Sequence, residues 1–137
     1  MKNFRRIQAL AVLLLLCAGL SAQEQEPERQ PSLEERCESE TDRLQNLLDL
    51  EDWQAFYVDS ILKHDYKAMQ EEFDRLQKEK VSSYNIYQGV QDKWMEKMDQ
   101  AFRKLFSDEQ WAAYLKQGAA RQQKAREKRR AKAAKQL

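Results

Sequence analysis

His64 is the only imidazole in this 137-residue chain, and Cys17 and Cys37 are its only thiols. Acid–base or nucleophilic catalysis needs a reactive group held within hydrogen-bond reach of a partner, and the residues around each candidate do not form such a pairing. His64 shares a helical stripe with Trp53, Tyr57, Ile61 and Ala68; that spacing predicts a packed, hydrogen-bonded histidine rather than a ligand or base. Glu71, Glu72 and Asp74 are spaced as a solvated helix face. A single histidine cannot build a His-cluster metal site, and the three glycines form no phosphate-cradling loop. The expectation is a protein that is not an enzyme and that uses no cofactor or metal.

What remains is surface chemistry. Trp53, Phe56, Tyr57, Trp94, Phe102 and Trp111 are more aromatic mass than a few thin helices readily hide. Those that line an open face beside Lys and Arg would suit weak, adaptable binding of unfolded chains, because aromatics supply apolar area and cations steer acidic segments. Charge is divided along the chain. Residues 116–137 hold nine Lys/Arg against Glu127 alone, a net +8, which leaves −10 on 23–115. Arg126, Lys128, Arg129 and Arg130 are the densest part of this basic segment. They are candidate contacts to an anionic membrane or lipopolysaccharide surface; export argues against nucleic acid as the partner.

The case for export rests on the first residues. Lys2, Arg5 and Arg6 precede an apolar stretch densest at 10–16, and Leu20-Ser21-Ala22 is followed by the polar Gln23-Glu24-Gln25-Glu26. This is the three-zone pattern of a cleavable secretory signal peptide over 1–22. Its apolar core is shorter than the roughly 20 residues of a spanning helix. The mature chain is expected in the periplasm, or secreted, with Cys37 as its one cysteine. Two readings of that thiol stay open: an intermolecular disulfide, or a small apolar side chain on a helix face.

Residues 23–31 contain both prolines and read as a flexible acidic leader. A helical domain follows over 32–117, and a basic Ala/Lys/Arg tail over 118–137 with no apolar stripe to pack. Ser32 and Glu35 form a capping box for a helix running to about Leu48. A second helix spans about 51–80, with one apolar stripe through Trp53, Tyr57, Ile61 and His64 and another through Val58, Leu62, Tyr66, Met69, Phe73 and Leu76, so it should contact two neighbours. In a third, Tyr87, Val90, Trp94, Met98, Ala101 and Leu105 recur as a seam. Ser107 and Gln110 box the start of a fourth, and no strand-like alternation occurs.

Two short stretches belong together: Leu50-Glu51-Asp52-Trp53-Gln54 at the first helix junction and Phe106-Ser107-Asp108-Glu109-Gln110 at the third. In each an apolar residue docks the corner and a glutamine closes the capping box. Both resemble the Leu-Thr-x-x-Gln motif of the Spy/CpxP family of bacterial periplasmic proteins, with Glu51 where that motif has Thr and Phe106 where it has Leu. The resemblance implies an all-α chain whose four helices form a bent hairpin, pairing as a homodimer and ending in the basic tail. It also implies a non-enzymatic chaperone of unfolded or envelope proteins, or an envelope-stress modulator. The alternative is a structural protein that binds one envelope partner or an anionic surface. By local capping alone, Ser107→Ala should cost about 1 kcal/mol and Gln110→Ala less.

Overall fold

The helix boundaries follow from local chemistry at each end. In a computed structural model that describes residues 29–135, the expected signal peptide 1–22 and leader residues 23–28 lie outside the described residues. The chain divides after Gln30, and residues 31–135 belong to the helical unit described below. Helix α1 (Leu33–Leu48) starts as predicted: Glu35 N–H donates to Ser32 Oγ at 3.1 Å, and Ser32 N–H donates to Glu35 Oε2 at 2.6 Å. It stops at Asp49, whose φ of 51° lets Leu50 N–H reach back to Gln45 O at 3.1 Å. Asp is one of the few side chains that visits this left-handed region readily.

Helix α2 (Asp52–Lys78) follows at once, and at about 1.5 Å per residue is roughly 40 Å long. Lys80, at φ 55°, ends it, and Val81 N–H returns to Leu76 O at 2.9 Å. Helix α3 (Tyr84–Leu105) runs back along α2. Ser83 precedes it without a side-chain cap. Helix α4 (Asp108–Tyr114) begins on the predicted Ser107 box, with Gln110 N–H donating to Ser107 Oγ at 3.2 Å. One π-helical turn, Leu115–Ala119, then leads into α5 (Ala120–Ala134). Gly118, at φ 107°, supplies the break in that turn, a conformation that β-carbon sterics deny most residues.

All described secondary structure is helical, as the periodicity predicted. The main core joins α1, α2 and α3 through Leu44, Leu48, Val58, Leu62, Met98 and Phe102, with Leu50 and Phe106 plugging the two corners. Tyr114 closes one end: its ring meets Phe102 and Phe106 edge-on at 5.8 and 5.9 Å. Burial, reinforced by the Asp99 carboxylate that accepts its hydroxyl proton at 2.7 Å, pushes its phenol far above the ordinary range. The seam predicted in α3 is only partly the buried face. Met98 is buried, but Asp99 and Phe102 are buried beside it and Trp94 is half-exposed, because α3 serves α2 on one side and the α4–α5 arm on the other.

The two motif stretches meet. Gln54 Oε1 accepts its own helix's free amide, Glu51 N–H, at 3.0 Å, and Gln110 Oε1 accepts Ser107 N–H at 2.9 Å. The two amides then bond each other both ways, Gln54 Nε2 to Gln110 Oε1 at 2.8 Å and Gln110 Nε2 to Gln54 Oε1 at 3.1 Å. The remaining protons go to equivalent carbonyls of the opposite junction, Leu105 O at 3.0 Å and Asp49 O at 3.3 Å. Each half repeats the other.

This clasp reverses the cost expected from local capping, because each glutamine also carries the long-range bonds. Gln54→Ala and Gln110→Ala should each cost about 2–3 kcal/mol, since each leaves part-buried partners unsatisfied, against about 1 for Ser107→Ala. In a double-mutant cycle followed by urea unfolding, the double variant should lose about 1 kcal/mol less than the sum of the singles.

Candidate functional site

The six candidate aromatics divide into two classes. Helix α2 buries Gln54, Ala55, Val58 and Leu62, so the helical period turns Trp53, Phe56 and Tyr57 to the opposite side. These three stay exposed, at 52, 68 and 53%. They form one edge-to-face group, with ring centroids 6.4 Å apart for Trp53–Tyr57 and 5.7 Å for Phe56–Tyr57. Trp53 is held at its polar end, where its indole N–H donates to Glu51 Oε2 at 2.6 Å. Glu51, the N-cap residue of α2, thus orients an aromatic ring.

Trp94, Phe102 and Trp111 do internal work. Phe102 is in the core, stacked on Phe106 at 5.3 Å. Trp111 lies against Tyr114 at 5.3 Å, with the Arg103 guanidinium 5.7 Å from its ring. The Trp94 indole donates to Glu72 Oε2 at 2.7 Å, and the Lys97 ammonium sits 4.4 Å over its ring. Glu72 also takes Lys93 at 2.6 Å, and that cation beside it holds its carboxyl below the usual range.

The predicted packed histidine is not found. His64 continues the outward face of Trp53 and Tyr57, its side chain is 70% exposed, and its Nδ1 lies 2.7 Å from Asp65 Oδ1. Cys37, by contrast, has no exposed surface and belongs to the core. That favours the small-apolar reading and corrects the intermolecular disulfide, which would require the domain to open. Burial also raises its pKa, keeping the thiol protonated.

The basic segment behaves differently from a tail with nothing to pack. Helix α5 returns antiparallel to α3 and is attached by charge. Arg126, itself buried, pairs with buried Asp99, which also accepts from Gln123 Nε2 at 3.1 Å. Arg129 grips Asp92 with two bonds of 2.7 Å, and Arg130 pairs with Glu96. These long side chains bridge a groove of about 810 Å³ between the helices. Three of the four candidate anionic-surface contacts are therefore paired with carboxylates of α3, Arg126 in the interior and Arg129 and Arg130 at the surface; Lys128 points away and is exposed. The acids that hold them, at 92, 96 and 99, follow helical spacing in the sequence. Net charge concealed them, because opposite charges on two separate helices cancel in the sum without revealing that they meet.

Comparison with known proteins returned nothing: the chain matches no family model, no curated protein and no solved structure. Among the described residues, no group of three or more His, Cys, Asp or Glu is arranged to hold a metal ion. Two of the surfaces presented outward are the aromatic group on α2 and the solvent side of α5.

Two outcomes test this arrangement. Arg129 first, and Arg126 and Gln88 after it, hold the Asp92 carboxyl below its ordinary 3.8. A carboxyl lowered in the fold contributes stability above its unfolded pKa and loses it as pH falls through the folded value. Amide-exchange protection factors in α5 should thus hold steady from pH 7 to about 4 and fall below that, and Asp92→Asn should remove most of this dependence. Cys37 should react with a maleimide only at the rate of domain opening, so sub-denaturing urea should speed the reaction by an order of magnitude or more.

Proposed function

We propose that this chain is an exported, non-enzymatic binding protein of the Spy/CpxP kind, which holds exposed apolar segments of other polypeptides in the bacterial envelope. The observation that carries the reading is the aromatic group Trp53, Phe56 and Tyr57, presented to solvent on the first turns of α2. Large aromatic side chains bring 150–250 Å² each (a typical range). Three in contact form a patch of the kind that marks interaction surfaces, whereas single exposed apolar residues are ordinary. Trp53 is positioned by Glu51, and the clasp beneath it fixes the helix end. Such a surface suits loose engagement of many sequences. The paired motifs at the two junctions support the family reading, and the homodimer and periplasmic location belong to the same proposal.

A second reading, a structural protein with one envelope partner, is favoured by the solvent-facing acids Glu34, Glu38 and Asp42 on α1, which would suit a basic surface. Light scattering with several unrelated aggregating proteins separates the two. Near-stoichiometric suppression of all of them is expected under the first reading. Replacing Trp53, Phe56 and Tyr57 together by serine should abolish suppression while the thermal midpoint stays within a few degrees, since exposed changes cost little. Undiminished suppression by that variant would remove the patch from the mechanism. No suppression of any client, with one protein bound through α1, would favour the second reading.

A further inference from the structure

Helix α5 has two faces, and only one is used by the fold. Gln123, Arg126, Arg129 and Arg130 point to α3 and are bonded there. On the opposite side lie Arg121, Lys124, Lys128 and the C-cap residue Lys135, with Lys132 at the edge where it also lines the groove; all are exposed, and no side chain among them makes an ion pair or hydrogen bond with the described residues. Their spacing of three, four, four and three residues places them in one row, because residues three and four apart stack on a helix surface. At 1.5 Å per residue the row is about 21 Å long. The bonded face holds the row in place. Without it, α5 would be an isolated charged helix near the length at which such helices are marginal in water.

The geometry points to this row as a docking surface for a sheet of anionic phospholipid headgroups, contacted by Arg121, Lys124, Lys128, Lys132 and Lys135. Three observations favour a lipid surface over a nucleic acid. The residues interspersed with the row are small or polar, and none is aromatic, so it offers no platform on which bases would stack. The remainder of the mature chain, 23–115, carries −10, which would repel a polyanion that wrapped around it. A flat array of phosphates can instead touch one straight edge and leave the acidic body in solution. No large apolar side chain lies on this face, so attachment would be electrostatic and reversible rather than insertion. None of Trp53, Phe56 and Tyr57 takes part, so the test is independent of the polypeptide-binding reading.

Vesicle co-sedimentation tests it with residues 23–137, using phosphatidylglycerol–phosphatidylcholine vesicles and pure phosphatidylcholine vesicles at 25 and 150 mM salt. Binding is expected to anionic vesicles only and to weaken with salt, because exposed charges are screened within about 8–10 Å at the higher value. Each basic residue near such a surface contributes roughly a fivefold change in affinity. Replacing Lys124, Lys128 and Lys132 together by glutamine should thus weaken binding about a hundredfold with the melting temperature unchanged. Replacing Arg36, Lys67 and Lys104, exposed residues of α1, α2 and α3, by glutamine removes the same formal charge and leaves the pairs that hold α5 intact. It should leave the melting temperature unchanged and weaken binding by less than tenfold. Equal losses in the two triple variants would show that net charge matters and the outward row does not. Absence of binding at 25 mM salt, or tighter binding to a DNA duplex of matched charge than to the vesicles, would overturn the proposal.

Discussion

The reciprocal amide pair of Gln54 and Gln110 is the constraint on which the rest of the arrangement depends. A capping box is a local device that satisfies free amides at one helix start. Here two boxes are joined across more than fifty residues of chain, so the starts of α2 and α4 and the ends of α1 and α3 are fixed by one set of bonds. Only a carboxamide does this. Each glutamine accepts with its oxygen and donates with its nitrogen at the same time, whereas glutamate has no proton to give and would bring two negative charges together. Leu50 and Phe106 are buried at the two junctions that the clasp joins, and Trp53 and Phe56 emerge on the face of α2 that turns away from it.

Charge holds α5 in place where apolar packing holds α1, α2 and α3. Helix α5 offers the core no apolar side chain, and its attachment to α3 is three arginine–carboxylate pairs. The Asp99–Arg126 pair is deepest, where breaking one partner strands the other as an uncompensated buried charge. It is completed by Gln123 and by the Tyr114 hydroxyl, which ties α5 to the aromatic end of the core. The outer pairs are more exposed and so weaker and more sensitive to salt. Attachment on one side alone is also what leaves the opposite row of α5 in solvent.

Helix ends and the all-α class were legible because they depend on neighbours in sequence. Ser32 with Glu35 and Ser107 with Gln110 satisfy amides three residues away, so both boxes were found where expected. The corner residues and the two glutamines were likewise readable as parts of caps, but their mutual bonds were not, because nothing local says which two caps meet. Periodicity misplaced His64 for a related reason. An apolar stripe says which side of a helix could be covered, and not that a neighbour covers it. Around the start of α2 the apolar residues occupy both sides, and burial chose Ala55 and Val58 over Trp53 and Tyr57.

By itself, the sequence determined the all-α class and the extent of the first three helices, the inward role of most aliphatic residues, and the division of charge between body and C-terminal segment. These are properties of contacts within a few residues, where the helical repeat sets geometry. Only the tertiary structure decided which aromatics are surface and which are core, that Cys37 is sealed, and that Arg126, Arg129 and Arg130 pair with carboxylates of α3 while Arg121, Lys124 and Lys128 face solvent. The physical reason is that a helix has several faces of similar composition. Which of them is removed from water depends on where a partner helix arrives, and that is set by the Gln54–Gln110 clasp and by the turn at Gly118.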